Sequence, residues 1–254
     1  MIMSVVALIL FTALVGVILI GGRLRRRLPA EQLSAESKDA VKLALGLVGT
    51  MTAIPLGLLI SSAKSAFDTT RSEVIQMAAK VALLDRVLAL YGPETADARH
   101  ALRDAIADGV RRTWPAEQSG PVRLDPNPQM GDAVYVAISR LAPRDDAQHA
   151  LKAQAATLMV QLAEVRALLQ AQAVSSVSKP LLIALVIWLV VIFFGFSLLA
   201  PVNATTTLAL VAGAFSVACA VLIILELDYP FSGMIRVPSD PMINTLARLA
   251  KDTA

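Results

Sequence analysis

The sequence predicts an all-α membrane protein with four transmembrane helices and a helical extramembrane domain inserted between helices 2 and 3. Three observations carry that prediction. Of 254 residues, 56% are hydrophobic and only 17% charged, with a mean hydropathy of +0.64; charged residues approach a quarter of an ordinary soluble domain. Aromatics contribute just 5%, so the apolar character comes from Ala, Leu and Val. Uncharged stretches long enough to cross a bilayer core of roughly 30 Å, which takes about 20 helical residues, flank a polar middle region with helical periodicity.

The elements follow in order. Residues 1–22 carry no charge and end in Gly21 and Gly22. The basic cluster follows this apolar run instead of preceding it, so the segment reads as a retained helix and not as a cleaved signal. A basic loop, 23–42, leads to a second span, 43–63, bracketed by Lys42 and Lys64. Gly46, Gly49, Pro55 and Gly57 give this span potential breakpoints. The uncharged run 181–225 is long enough for two helices, divided at the turn chemistry of Pro201 and Asn203 into spans 181–200 and 205–228. A C-terminal interfacial tail, 229–254, completes the chain. Pro230 and Gly233 end the fourth helix, and Tyr229 and Phe231 suit the aromatic belt at a membrane interface.

The middle domain, 64–180, is helical by pattern. Phe67, Thr70, Val74, Met77, Val81, Leu84, Leu88 and Tyr91 alternate spacings of three and four, as do Leu151, Ala155, Leu158, Leu162, Val165 and Leu169. Such seams pack helices side by side, and the two long helices are expected to leave the membrane together as a stalk. Gly92 and Pro93 stop the first seam and start the next helix, which runs to about Trp114. A loop with Pro115, Pro121, Pro126 and Pro128 precedes a short helix near 131–141. Arg144, Asp145 and Asp146 stand where the last long helix begins, and acids there suit the helix dipole.

Charge and motif content exclude several function classes. Residues 64–180 hold fourteen Lys and Arg against thirteen acids, a dispersed balance without the basic stripe that nucleic acid requires. The single cysteine, Cys219, rules out an intramolecular disulfide and a cysteine-based metal cluster. No phosphate loop, zinc-protease motif or nucleophile elbow occurs, and His100 and His149 sit in polar helical stretches as surface residues. An enzyme is not expected, nor is a cofactor or a metal. Arg23, Arg25, Arg26 and Arg27 place the loop after the first span in the cytoplasm by the positive-inside rule, which puts residues 64–180 outside.

Two stretches stand above this background. Residues 54–74 combine Pro55, which frees a carbonyl, with the small residues Gly57, Ser61, Ser62, Ala63 and Ser65. This composition suits close helix packing or a polar path, with Ile54, Pro55, Leu58, Ser61, Ser62 and Lys64 as pore-lining candidates. The second stretch, 225–233, carries Glu226 and Asp228. Spaced by two, they would fall on different helix faces, one toward the bundle and one toward the interface. An intramembrane carboxylate is costly without a partner. Asp68, Arg71, Glu226, Asp228 and Arg236 are therefore candidates for a structural clasp, with Lys64 a further possible counter-charge.

The same two stretches carry a family resemblance. LELDYPFSGMIRVPSDP (225–241) resembles the C-terminal signature of a family of bacterial membrane proteins called bestrophin-like, and LGLLISSAKSAFDTTRSEV (56–74) resembles that family's second-helix motif. The layout of two spans, a helical middle domain and two further spans is similar as well. Phe67, Asp68, Arg71 and Glu73 resemble an aromatic–Asp–Arg–Glu pattern that follows the pore helix of bestrophins, which are pentameric anion channels. The tryptophans that bestrophins carry there are absent from this sequence. The resemblance implies an oligomeric ion channel for chloride or other anions, with a pore lined by transmembrane helix 2. It also implies a middle domain on the cytoplasmic side, opposite to the arginine reading. The alternative is a non-conducting structural or signalling membrane protein whose middle domain binds a partner. Expected partners are the lipid bilayer and further copies of the chain, four or five per assembly, with no nucleic acid. The expected location is the bacterial inner (plasma) membrane, as a multi-pass protein.

Overall fold

In a computed structural model the chain is described over residues 2–27, 29, 34–115, 128–172 and 178–251. Among the described residues it is all-helical, 87% helix and without a strand. Among the described residues eight α-helices follow in order: α1 (Ile2–Arg25), α2 (Ala35–Tyr91), α3 (Ala96–Thr113), α4 (Pro128–Ser139), α5 (Asp146–Gln172), α6 (Lys179–Leu199), α7 (Ala204–Leu227) and α8 (Asp240–Lys251). Four of them, α1, α2, α6 and α7, contain segments long and apolar enough to cross a membrane. The chain divides into two compact units, one made of 1–66 and 175–229, the other of 67–174 and 230–254.

Local sequence sets the helix starts. The Ser34 hydroxyl accepts the Ser37 N–H at 3.2 Å ahead of α2, Asp145 Oδ1 accepts the Gln148 N–H at 2.7 Å ahead of α5, and Asn203 Oδ1 accepts the Thr206 N–H at 2.8 Å ahead of α7. Each satisfies an orphan donor in the first helical turn. The Asp145 cap accounts for one of the acids at 144–146. Despite Gly46, Gly49, Pro55 and Gly57, α2 continues without interruption through all 57 of its residues. Pro55 removes one N–H from the ladder, yet its side chain is buried and the neighbouring turns hold the helix together.

In the first unit, α1 packs on α6 and α7. Leu14, Leu185, Ala214 and Ile224 are wholly buried. The Phe11 and Phe215 rings meet edge to face, 5.9 Å apart at 85°. Gly21 admits Ser197 where a Cβ would collide with the hydroxyl, and a Cβ on Gly195 would lie 2.5 Å from Leu45 Cδ2. Small residues thus bring these helices close, the usual solution where packing and not hydrophobicity drives association. The Arg25 guanidinium donates to the Leu199 carbonyl, closing the C-terminal end of α6.

In the second unit, residues 67–91 of α2 join α3, α4, α5 and α8. Val81, Leu84, Leu88 and Tyr91 of the first seam are buried, and Ala155, Leu158, Val165 and Leu169 of the second are buried as well. Leu84, Leu88, Tyr91, Leu102, Val134 and Leu158 form one core cluster. Gly92 has φ 132°, a conformation open to glycine, and lets the chain turn into the short 3-10 segment Pro93–Thr95. Thr95, 1% exposed, donates to the carbonyls of Leu88 or Gly92, each at 2.7 Å. Lys152 Nζ donates to the carbonyls of Ser139 and Leu141 at 2.8 and 2.6 Å, satisfying the end of α4.

One assignment from sequence is corrected here. Phe231 does not sit in an interface belt: it is 7% exposed and packs edge to face on Trp114, with ring centroids 5.6 Å apart. Trp114 Nε1 donates to the Val237 carbonyl at 2.9 Å, and the Val237 N–H donates to the Pro230 carbonyl at 2.7 Å. A buried edge-to-face ring pair is worth about 0.5–1.5 kcal/mol beyond its area burial. Tyr229 remains 43% exposed. Beyond this loop, α8 buries Met242, Thr245 and Leu249 on one face.

Candidate functional site

The pore-lining candidates all lie in the part of α2 that belongs to the first unit. Ile54, Leu58, Ser61 and Ser65 recur at intervals of three and four and share one exposed helix face, with Ile54 66% and Leu58 60% exposed. Ser62 and Lys64 flank that face and are exposed too. Pro55 is separated from the others: it is buried, on the side of the helix that also buries Leu59 and Ala63.

The clasp candidates divide between the two units. Glu226 and Asp228 belong to the first and are 1% and 8% exposed. The expected split, one carboxylate facing the bundle and one the interface, is not what forms. Helix α7 ends at Leu227, and Asp228 serves as its C-terminal cap residue with its N–H bonded to the Ile224 carbonyl at 3.1 Å. The backbone at Asp228 is still right-handed helical, so the two acids point different ways, yet both are buried. Asp68, Arg71 and Arg236 belong to the second unit and are exposed. Arg236 Nε donates to the Gly233 carbonyl at 2.6 Å, within its own loop.

Sequence reasoning passed over two ion pairs of the second unit, Asp85–Arg99 and Arg112–Asp108, and named Glu73 without its burial. Glu73, one position of the motif at 67–73, is 8% exposed. Asp85 and Arg99 form a fork-to-fork ion pair, with Nε to Oδ1 at 2.7 Å and an Nη to Oδ2 at 3.1 Å. Their side chains are 8% and 13% exposed. Arg112 Nε meets Asp108 Oδ2 at 2.9 Å. A signal for the Asp85–Arg99 pair was present, since Asp85 lies four residues after Val81 and three before Leu88, spacings that put it on the seam side of α2. Among the described residues no cluster of three metal-ligating side chains occurs.

Four membrane-length helices and a separate helical unit assembled from the chain's middle and its C-terminal tail define a polytopic helical membrane protein. The comparisons with known proteins agree with that class. A family model for the bestrophin-like domain matches residues 9–242, nearly the whole chain. The protein belongs to the bestrophin-like family. Solved structures share its fold. A variant of a bacterial bestrophin homolog from Klebsiella pneumoniae matches with a TM-score of 0.72 at 18% identity, covering 97% of this chain and 98% of that one. The same homolog, phased on zinc, matches at 0.70 and 17% identity over the same shares. A variant described only as a membrane protein matches at 0.73 and 18% identity, again over 97% and 98%. No curated protein sequence matches significantly.

Proposed function

We propose that the protein is an oligomeric channel of the bacterial inner membrane, passing chloride or other anions through a pore that α2 of each subunit lines. The observation that carries this reading is the exposed α2 face of Ile54, Leu58, Ser61 and Ser65, flanked by Ser62 and Lys64, in a chain of bestrophin-like family and fold. One subunit leaves that face uncovered. A ring of four or five copies would turn it toward a common axis, where hydroxyls hydrate an ion and Lys64 raises the local anion concentration. Ile54 and Leu58 form the apolar constriction, which gates by dewetting. Pro55, buried on the opposite side, shapes the helix and does not line the path. In this picture the spans are 1–22, 43–63, 181–200 and 205–228, with Asp68, Arg71, Glu226, Asp228 and Arg236 holding structure instead of conducting. The protein acts on no substrate as an enzyme.

Reconstituted protein of verified oligomeric state in a planar bilayer tests the proposal. Anion-selective conductance is expected, with Leu58→Ser raising open probability and Lys64→Gln lowering chloride over sodium permeability. Silence across a broad range of voltage and salt would instead favour a non-conducting protein whose middle domain binds a partner.

A further inference from the structure

The second unit contains two adjoining cavities that the channel reading does not use. Their volumes are about 80 and about 380 Å³, and the larger falls in the roughly 300–1,000 Å³ range of small-molecule sites. Met77, Ala105, Ile106 and Arg166 line both, so the Arg166 guanidinium stands on the wall they share. The larger space is mostly apolar, bounded by Leu102, Met159, Val160 and Ala163, with Asp132 and the 58% exposed Tyr135 among its lining residues. The smaller brings Arg112 and Arg166 together beside Trp114 and Phe231.

Charge is out of balance here. Asp108 is shared, its Oδ2 at 2.9 Å from Arg112 and its Oδ1 at 3.4 Å from Arg111. Among the described residues Arg166 makes no salt bridge and no hydrogen bond, although it is only partly exposed. Burial lowers its pKa from the usual arginine value, Arg112 lowers it further, and Asp108 opposes them. An arginine nonetheless stays charged in a protein. Arg111 is largely exposed and lines neither cavity, but Arg112 and Arg166 both reach the narrow one, where Asp108, already engaged by Arg112, is the carboxylate that opposes them.

We infer that these joined cavities bind a small organic carboxylate, its anionic end between Arg112 and Arg166 and its apolar body in the larger space. The planar guanidinium fork matches a carboxylate in two parallel hydrogen bonds, while the smaller cavity has little room beyond such a head group. The apolar lining of the larger cavity selects an aliphatic body over a polar one.

The chain has two tryptophans, Trp114 and Trp188, so Trp188→Phe leaves a single reporter on the cavity wall. The full chain in lipid nanodiscs is titrated with octanoate and, separately, with 1-octanol, following Trp114 emission. Octanoate is expected to give a saturable change that 1-octanol does not reproduce. Arg166→Gln should weaken octanoate at least tenfold. Ala163→Phe, which keeps both arginines and fills the larger cavity, should weaken it comparably and keeps the test alive if Arg166→Gln does not fold. Equal responses to octanoate and octanol, or unchanged octanoate affinity in either folded variant, would overturn the inference.

Discussion

Replacing Asp85 by alanine should be among the most damaging single changes in the second unit. Asp85 holds Arg99 through bonds of 2.7 and 3.1 Å, and only 13% of the arginine side chain is exposed. Two unit charges about 4 Å apart attract by about 4 kcal/mol at an effective dielectric constant near 20. Removing one member loses that attraction and leaves the other ion buried, a combination that costs about 3–5 kcal/mol. For a chain of this size each kcal/mol moves the melting temperature by roughly 2–4 °C, so a fall of about 6–20 °C is expected. Thermal unfolding in one detergent at one scan rate measures it. The double variant Asp85→Leu/Arg99→Met removes both charges and should recover more than half of the loss, because no ion is stranded. If Asp85→Ala shifts the transition by under 2 °C, or the double variant is no better than the single one, the buried-pair argument fails.

Other expectations concern the first unit and the tail. Gly195→Ala should destabilise the protein, since the new Cβ would lie 2.5 Å from Leu45 Cδ2; Leu45→Ala in the same chain should restore part of the melting temperature, and absence of rescue would place the strain elsewhere. Trp114→Phe keeps a ring but loses the bond to the Val237 carbonyl, so amide exchange in 237–251 should speed up severalfold while exchange in α4 stays as it was; a uniform change across the unit would refute that localisation. Glu226→Ala should lower the melting temperature more than Asp228→Ala, because Glu226 is the more deeply buried at 1% against 8%, and the reverse order in detergent-solubilised protein would contradict the burial argument.

The fold class was readable because membrane helices announce themselves by length and lack of charge, and because seams such as Val81–Leu84–Leu88 repeat at helical spacing whatever their partners are. Turn chemistry was equally local: Gly92, Asn203 and the acids at 144–146 act within a few residues of themselves. What escaped was set by distance along the chain. Phe231 finds Trp114 across more than a hundred residues, and nothing in the tail's composition names that partner. The burial of both Glu226 and Asp228 also escaped, because a spacing of two turns their side chains about 200° apart on a helix and only the surroundings decide what covers each. Among the site candidates, Pro55 looked like its neighbours by adjacency alone; in a helix adjacent residues face different ways. Which neighbour or solvent the exposed α2 face meets is a property of the assembly, beyond the reach of a single chain's periodicity.

The interleaving of the two units has a consequence for biosynthesis. Each unit combines an early and a late piece of the chain: α1 waits for α6 and α7, and the core around Trp114 waits for Phe231, Val237 and α8. A ribosome that has finished residue 174 has therefore completed neither. Until residues 230–251 emerge, the core around Trp114 lacks its own covering strip, so synthesis through the fourth long apolar helix still leaves this unit unfinished.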